Sequence, residues 1–340
     1  MGEKKSLIDY GGYKPGRSII KRGEIRLEPS EYKGVYIGNV ITPETGFFNA
    51  TTNVYIHHIA PGARTPMHRH DETLLHVLSG TGYSVIGGDE YEWEPGDSIH
   101  IKPGVWHQHW NTSDLPANML AAKATPLLNY LKPLTMVVRG DRKYTDIGDF
   151  VPDHAFGMGK IPIPIAPGET WIGPTQKALR DQRAAWEKRM EEARVIMKGK
   201  DVRWEKSGSQ GGEYTCSVAD SGLGFDSRFF NFGMQRQLPG GCNETHIHME
   251  AVVYILSGKG HVMVDDKWYD VEEGDCIFVH SGQWHQFSNS NGPDDKPYIQ
   301  MRVLTGQLTN TFLFPFPFIE DDETSPGSEF DGKYLPQLPW

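Results

Sequence analysis

The hydrophobic positions of this chain fall in short runs separated by turn residues. Thr73–Leu78 and Ala251–Leu256 are largely apolar runs that end in Ser-Gly-x-Gly. Tyr83–Ile86 and His261–Val264 follow, then turns at Gly87-Gly88-Asp89 and Asp265-Asp266-Lys267. Ser98–Ile101 and Cys276–Val279 come next, each with Gly-Asp before it and a Gly-containing turn after it. Strands punctuated every eight to twelve residues or so predict a small β-barrel or jelly roll. One stretch differs. Thr175–Lys198 lacks Gly and Pro, and Leu179, Ala185, Trp186, Met190, Ala193 and Met197 form an apolar stripe at helical spacing. It follows the Pro-rich Lys160–Pro174 segment and is expected to be a linker helix. The tail Thr311–Ile319 is aromatic but interrupted by proline, so it is excluded from a central strand. It is expected to cover a barrel or a neighbouring subunit.

The pattern occurs twice. A shift of 178 residues places Asn53–Asn111 on Asn231–Asn289 without a gap, with 19 identities in the 51 pairs from Pro61/Pro239 onwards. That density marks a duplicated domain. The expected organisation is an all-β fold of two jelly-roll barrels with a helical linker. It divides into an N-terminal arm (1–45), barrel 1 (46–135), a linker (136–222) with helix 175–198, barrel 2 (223–305) and a C-terminal tail (306–340).

With 34 Lys and Arg against 44 Asp and Glu, the net charge is −10, which argues against nucleic acid or an anionic membrane as partner. A hydrophobic content of 38% excludes wholesale disorder. Cys216, Cys242 and Cys276 are odd in number and lack CxxC spacing, so they read as reduced thiols. No apolar run approaches membrane-span length. The start, Met-Gly-Glu-Lys-Lys-Ser, fits the loose N-myristoylation pattern, but a cytoplasmic soluble protein is the better reading.

Histidine changes the picture. Eleven of the 14 lie between residues 68 and 109 or between 246 and 285. Residues i and i+2 of a strand project from one face about 6.6 Å apart. His68/His70 and His246/His248 therefore each aim two imidazoles at a point that bonds of about 2.1 Å can reach. His107 and His285 stand 37 residues after the second histidine in both copies, so a barrel can fold them back beside each pair. Three neutral nitrogen donors, repeated at one spacing, predict two metal sites.

The pattern Pro-Gly-x5-His-x-His, Ser-Gly-x-Gly, Gly-Asp and Gly-x-Trp-His with a closing Asn resembles the two cupin motifs. The resemblance covers about 120 residues and identifies the chain as similar to the bicupins. The usual motif glutamate is replaced by Thr73 and Ala251, which speaks against germin-like and oxalate-decarboxylase-like readings. Copy one is similar to the gentisate-type 1,2-dioxygenases, whose three-histidine Fe(II) site maps onto His68, His70 and His107. Copy two resembles the large subunit of the hydroquinone 1,2-dioxygenases. That resemblance implies a His246/Glu250/His285 set in the C-terminal barrel and a separate small subunit. A homo-oligomer is the other expected assembly. Glu250 shares a face with His246 and His248, yet on a straight strand it lies about 13 Å from His246. It is a ligand if the strand bends, and otherwise a partner for a histidine N–H; Glu72 stands at the same place in copy one.

The expected function is therefore Fe(II)-dependent, extradiol-type ring cleavage of a dihydroxylated aromatic by O₂, with hydroquinone first and gentisate second. The C-terminal site (His246, His248, Glu250, His285) is favoured over the N-terminal one. Arg64 and Arg236 are the candidate cations for a substrate carboxylate, and Trp284 and His109 are further substrate-contact candidates. His57, His58, His154 and His261 are expected at the surface or packed as polar residues. The rivals are a metal-dependent isomerase or decarboxylase and a non-catalytic binding bicupin, against which two intact histidine triplets argue.

Overall fold

A computed structural model describes residues 16–127, 137–138, 181, 184–185, 188–189, 191–207, 213–292, 295–305 and 318–319. The alternating segments form two barrels, each built from one seven-stranded and one five-stranded antiparallel sheet. The large sheet of the first barrel runs, in spatial order, Ile196–Met197, Ser98–Ile101, Thr73–Ser79, Ala117–Lys123, Asn53–Ile59, Val35–Ile41 and Leu27–Pro29. The large sheet of the second runs Ile19–Ile20, Cys276–Val279, Ala251–Ser257, Tyr298–Leu304, Asn231–Gln237, Glu213–Ala219 and Glu205–Lys206. The small sheets carry the histidines. They are 137–138, His68–Arg69, His107–Asn111, Gly82–Ile86 and Asp89–Trp93 in the first barrel, and Lys267–Glu272, Lys259–Val264, His285–Asn289, His246–Ile247 and 318–319 in the second.

Side-chain alternation sorts the apolar residues into three layers. Ile59, Leu75, Val77, Ile86, Trp93, Ile99, Met119 and Ala121 fill the first barrel. Val253, Ile255, Val262, Val264, Ile277, Val279, Phe287 and Tyr298 fill the second. The outer faces of the two large sheets meet in a shared core that includes Val54, Leu74, Leu120, Phe232, Val252, Phe278 and Val303. The barrels thus bury the faces that each would otherwise expose.

The Ser-Gly-x-Gly motif is steric. A Cβ on Gly82 would collide with the carbonyl of Trp110, and one on Gly260 with that of Ser288. The hairpin that Gly87-Gly88 closes in copy one is closed in copy two by Asp265 and Asp266, at φ of 45° and 63°, the left-handed pair that a two-residue turn requires.

The expected boundaries need correction. Strands Leu27–Pro29 and Val35–Ile41 fall in the segment read as an arm, and Glu205–Lys206 and Glu213–Ala219 in the segment read as a linker, yet all four extend the barrels. Moreover, each barrel takes one strand from the segment that precedes the other. Ile19–Ile20 pairs with Ile277 and Cys276 of barrel 2, and Ile196–Met197 pairs with Ile99 and Ser98 of barrel 1. Lys21 then binds Asp275 at 2.8 Å, and Lys198 binds Asp97 at 2.7 Å. The duplication therefore extends upstream of Asn53 in structure although its sequence signal fades there.

Of the expected helix 175–198, the described residues 181, 184–185, 188–189 and 191–192 are helical. Residues 196–197 are strand, because the sheet edge of barrel 1 captures them. The tail strand 318–319 sits at the edge of its sheet, beside His246–Ile247. No described helix is long and apolar enough to cross a membrane.

Candidate metal centres

Antiparallel register brings the distant histidines together. His68 lies directly opposite His107, and His246 directly opposite His285, a separation at which side chains on one face touch. His70 and His248 follow two residues on. In each barrel the potential ligand atoms of the three histidines lie within 4.8 Å of one another.

The second nitrogen of every ring is already committed. Nδ1 of His68, His70 and His107 donates to the carbonyls of Pro66 (2.8 Å), Asp71 (2.7 Å) and Val105 (2.8 Å). Nδ1 of His246, His248 and His285 donates to those of Glu244 (2.9 Å), Met249 (2.6 Å) and Gln283 (3.0 Å). A carbonyl only accepts, so each proton sits on Nδ1 and each Nε2 offers a lone pair. In barrel 2 two such atoms, Nε2 of His248 and of His285, are 3.1 Å apart. Two facing lone pairs repel unless a cation lies between them. The donor chemistry thus fits a metal ion in both barrels.

The electrostatics agree. Burial, followed by the neighbouring rings, holds the pKa of His68, His107 and His285 well below the ordinary value. Burial lowers that of His248 to about 3. All are neutral ligands at neutral pH.

Glu250 is not part of the cluster. The strand His246–Ile247 ends after two residues, and the turn that follows carries the carboxylate to the other barrel. There it accepts the backbone N–H groups of Ala50 (2.8 Å), Thr51 (3.1 Å) and Thr52 (3.0 Å) and the Thr51 hydroxyl. Glu72 does the reciprocal thing. It accepts from Arg228 N (2.9 Å), Phe229 N (3.2 Å) and the Ser227 hydroxyl, with His100 Nε2 at 3.3 Å. The two glutamates clasp the barrels together rather than complete a ligand set.

Other candidates divide. His109 is buried beside the first triad, its ring centroid 5.5 Å from that of His107. Its Nδ1 lies 2.6 Å from Ser84 Oγ, which in turn accepts from Trp93 Nε1 at 2.9 Å. Arg236 lies on the outward face of its strand, its guanidinium 4.9 Å from the Tyr214 ring centre and 5.6 Å from that of Trp204. It belongs to neither triad. Arg64 lines a surface depression with Glu31, Lys33 and Pro61. Trp284 is half-buried, and its carbonyl accepts from Asp265 N at 2.9 Å. His58 binds Asn118 Oδ1 at 2.9 Å, and exposed His261 pairs with Asp270 at 2.8 Å. His154 lies outside the described residues.

Lys123 escaped the sequence reading, and His57, expected at the surface or packed as a polar residue, is buried against the cavity that Lys123 lines. A cavity of about 430 Å³ in barrel 1 is lined by Val35, Ile37, Tyr55, His57, His68 and Lys123, among others. Lys123 brings its ammonium to 3.4 Å from His70 Nε2, and burial lowers its pKa. The signal was present: Ala117, Met119 and Ala121 face the barrel core, and Lys123 continues that alternation. His57 likewise shares a strand face with Tyr55.

A cupin-domain family profile matches residues 55–123 and 233–294, the two segments that carry the triads. Two segments of the chain thus match the cupin domain. The chain is 26% identical over 137 residues to a gentisate 1,2-dioxygenase of Ralstonia sp, covering 38% of each chain. It is 34% identical over 74 residues to a 5-aminosalicylate 1,2-dioxygenase of Comamonas sp, covering 22% of this chain and 20% of that one. It thus spans well under half the length of these relatives. Its fold is shared with salicylate 1,2-dioxygenase of Pseudoaminobacter salicylatoxidans, solved as adducts with gentisate. The TM-score is 0.63 at 15% identity, over 91% of this chain and 87% of that one.

Proposed function

We propose that this protein is an Fe(II)-dependent ring-cleaving dioxygenase acting on a hydroxylated aromatic acid of the gentisate type, with its chemistry in barrel 1. The sequence alone put hydroquinone first and barrel 2 ahead. The observation that carries the revised reading is the apolar cavity that touches His68 and Lys123 together. Hydroquinone has no carboxylate for a buried ammonium to bind; gentisate has one. The relatives named for gentisate and 5-aminosalicylate point the same way.

His68, His70 and His107 would hold the iron, which would supply the activation that O₂ needs to react with the ring. The chain's own residues do the rest. His68, His70 and His107 present three neutral nitrogens, their orientation fixed by the carbonyls of Pro66, Asp71 and Val105. Lys123 binds the carboxylate and so sets which ring carbon faces the triad. His109, buried beside His107, shapes the wall of the site. Val35, Ile37 and Tyr55 enclose the ring and exclude water. The reaction breaks one ring C–C bond beside a hydroxylated carbon and places both atoms of O₂ in the product.

The test is O₂ uptake by protein reconstituted anaerobically with Fe(II), with gentisate and hydroquinone compared. The expected outcome is stoichiometric uptake with gentisate and a kcat/KM at least tenfold lower with hydroquinone. Lys123→Met is expected to cut kcat/KM for gentisate by about 10- to 100-fold, the worth of one charge-assisted bond, while hydroquinone turnover changes little. Equal losses on both substrates contradict the role given to Lys123, and absence of uptake with any hydroxylated aromatic contradicts the function.

A further inference from the structure

The large sheet sets out the cavity of barrel 1 in rows. Along strand Asn53–Ile59 the inward positions are Asn53, Tyr55, His57 and Ile59, because Val54 and Ile56 belong to the core shared by the barrels. Lys123 stands opposite Asn53, and His57 lies two inward positions further on. The Lys123 ammonium reaches to 5.7 Å from the Tyr55 ring centre, and the His57 ring centre is 6.4 Å from that of Tyr55. Both side chains line the cavity that touches His68. A benzene ring laid against Tyr55 with its carboxylate on Lys123 thus brings a substituent on its far side to His57.

His57 is prepared for such a substituent. The other buried histidines of barrel 1 each commit a nitrogen to the protein: His68, His70 and His107 to carbonyls, His76 to Ser98, His100 to Glu72 and His109 to Ser84. No described residue hydrogen-bonds His57, and its neighbours explain why. It stands between Ile37 and Met119 on the two adjoining strands, and neither offers a strong polar partner. In barrel 2 the same position is Gln235, opposite Gln300, and that pair closes on itself, the Gln300 amide donating to the Gln235 carbonyl. Burial, followed by the Lys123 charge, holds the His57 pKa well below the ordinary value. The ring is therefore neutral and carries one N–H and one lone pair, and a hydroxyl is a group that can use either. A buried polar ring without a partner is costly, and a bound hydroxyl removes that cost.

We propose that His57 is a specificity-determining residue of barrel 1: its imidazole holds the substrate hydroxyl remote from the carboxylate, and so favours gentisate over acids with an apolar group in that place. The assignment rests on the reading of barrel 1 as the substrate site. His57 and Lys123 together anchor the ring at two ends, which leaves it one orientation before the triad.

Binding without turnover tests the assignment. The full-length protein is loaded with Zn(II), which has no redox chemistry, and titrated calorimetrically under anaerobic conditions with gentisate and with 5-methylsalicylate. The two acids share a shape, with a methyl group in place of the remote hydroxyl. Gentisate is expected to bind about tenfold tighter or more, because the methyl analogue leaves the imidazole unpaired. In His57→Phe the preference should fall below about twofold, through a loss on gentisate with 5-methylsalicylate little changed. His57→Gln, which still hydrogen-bonds, should fall between the two. Should His57→Phe not fold, His57→Met takes its place, and an undiminished preference in either overturns the assignment. Equal binding of the two acids by the wild type, or a loss in His57→Phe shared equally by both, overturns it as well and leaves the reading of barrel 1 standing. If neither acid binds, or if Lys123→Met binds both as tightly as the wild type, that reading fails and the assignment falls with it.

Discussion

The two histidine triads are built alike and housed differently. Both pair a histidine on a two-residue strand with one directly opposite, and both tie every Nδ1 to a carbonyl two residues or fewer away. The first triad is fully buried, whereas His246 and His248 of the second are only half-buried. The matching positions on the large sheets are Tyr55, Ala121 and Lys123 in the first barrel and Gly233, Arg302 and Leu304 in the second. Duplication has kept the ligand geometry, which depends on register and local turns, while the chamber has changed by single substitutions on the inner strand faces. Metal binding and ligand choice are thus carried by separable sets of residues.

The comparison is sharpened first by the clasps. Glu72 and Glu250 each satisfy backbone N–H groups of the opposite barrel, so truncation strands buried donors on both sides of the interface. Glu250→Ala is expected to destabilise the protein by about 4 kcal/mol, the cost of leaving several such groups unpaired. Glu72→Ala should act similarly, and denaturant midpoints with unchanged slopes check both. If Glu250→Ala instead releases metal without a loss of stability, the glutamate is a ligand and the clasp is wrong.

A smaller effect separates the barrels by pH. His76 occupies the position held by Tyr254 in barrel 2 and is buried, with Nδ1 2.8 Å from Ser98 Oγ. Burial lowers its pKa to about 4. The folded state therefore refuses a proton that the unfolded chain takes up near pH 6.5. Its contribution to stability is complete above about 6.5 and is lost as the pH falls towards 4. At pH 5.5 the loss is about 1 kcal/mol. His76→Phe should flatten that part of the stability profile, read from unfolding between pH 7 and 5. A slope unchanged by the substitution contradicts the assignment.

Much of this was legible in the sequence, and what was not has a physical reason. Strands Ser98–Ile101 and Cys276–Val279 were readable to the residue, because Gly-Asp and a glycine turn punctuate them. The triads followed from the repeated spacing. Glu250 entered the ligand set through the resemblance to the hydroquinone dioxygenases, whereas straight-strand geometry already held it about 13 Å from His246; the strand ends at Ile247 and the next residues turn the carboxylate away. Its partners, Ala50 to Thr52, are some 200 residues distant, and no local pattern points to them. The exchange of Ile19–Ile20 and Ile196–Met197 between barrels was hidden for the same reason, since two-residue edge strands leave almost no periodic signal. Lys123 was readable in principle, as the next inward position after Ala117, Met119 and Ala121.

The central claim is that ring cleavage belongs to barrel 1. It is tested most directly by comparing His107→Ala with His285→Ala, each reconstituted anaerobically with Fe(II), for gentisate-dependent O₂ uptake. Loss of one of three metal ligands is expected to lower kcat/KM in His107→Ala by about 1000-fold or more, some 4 kcal/mol of transition-state stabilisation. His285→Ala should fall by less than about tenfold. The reverse pattern, with His285→Ala inactive and His107→Ala competent, would place the chemistry in barrel 2 and contradict the account.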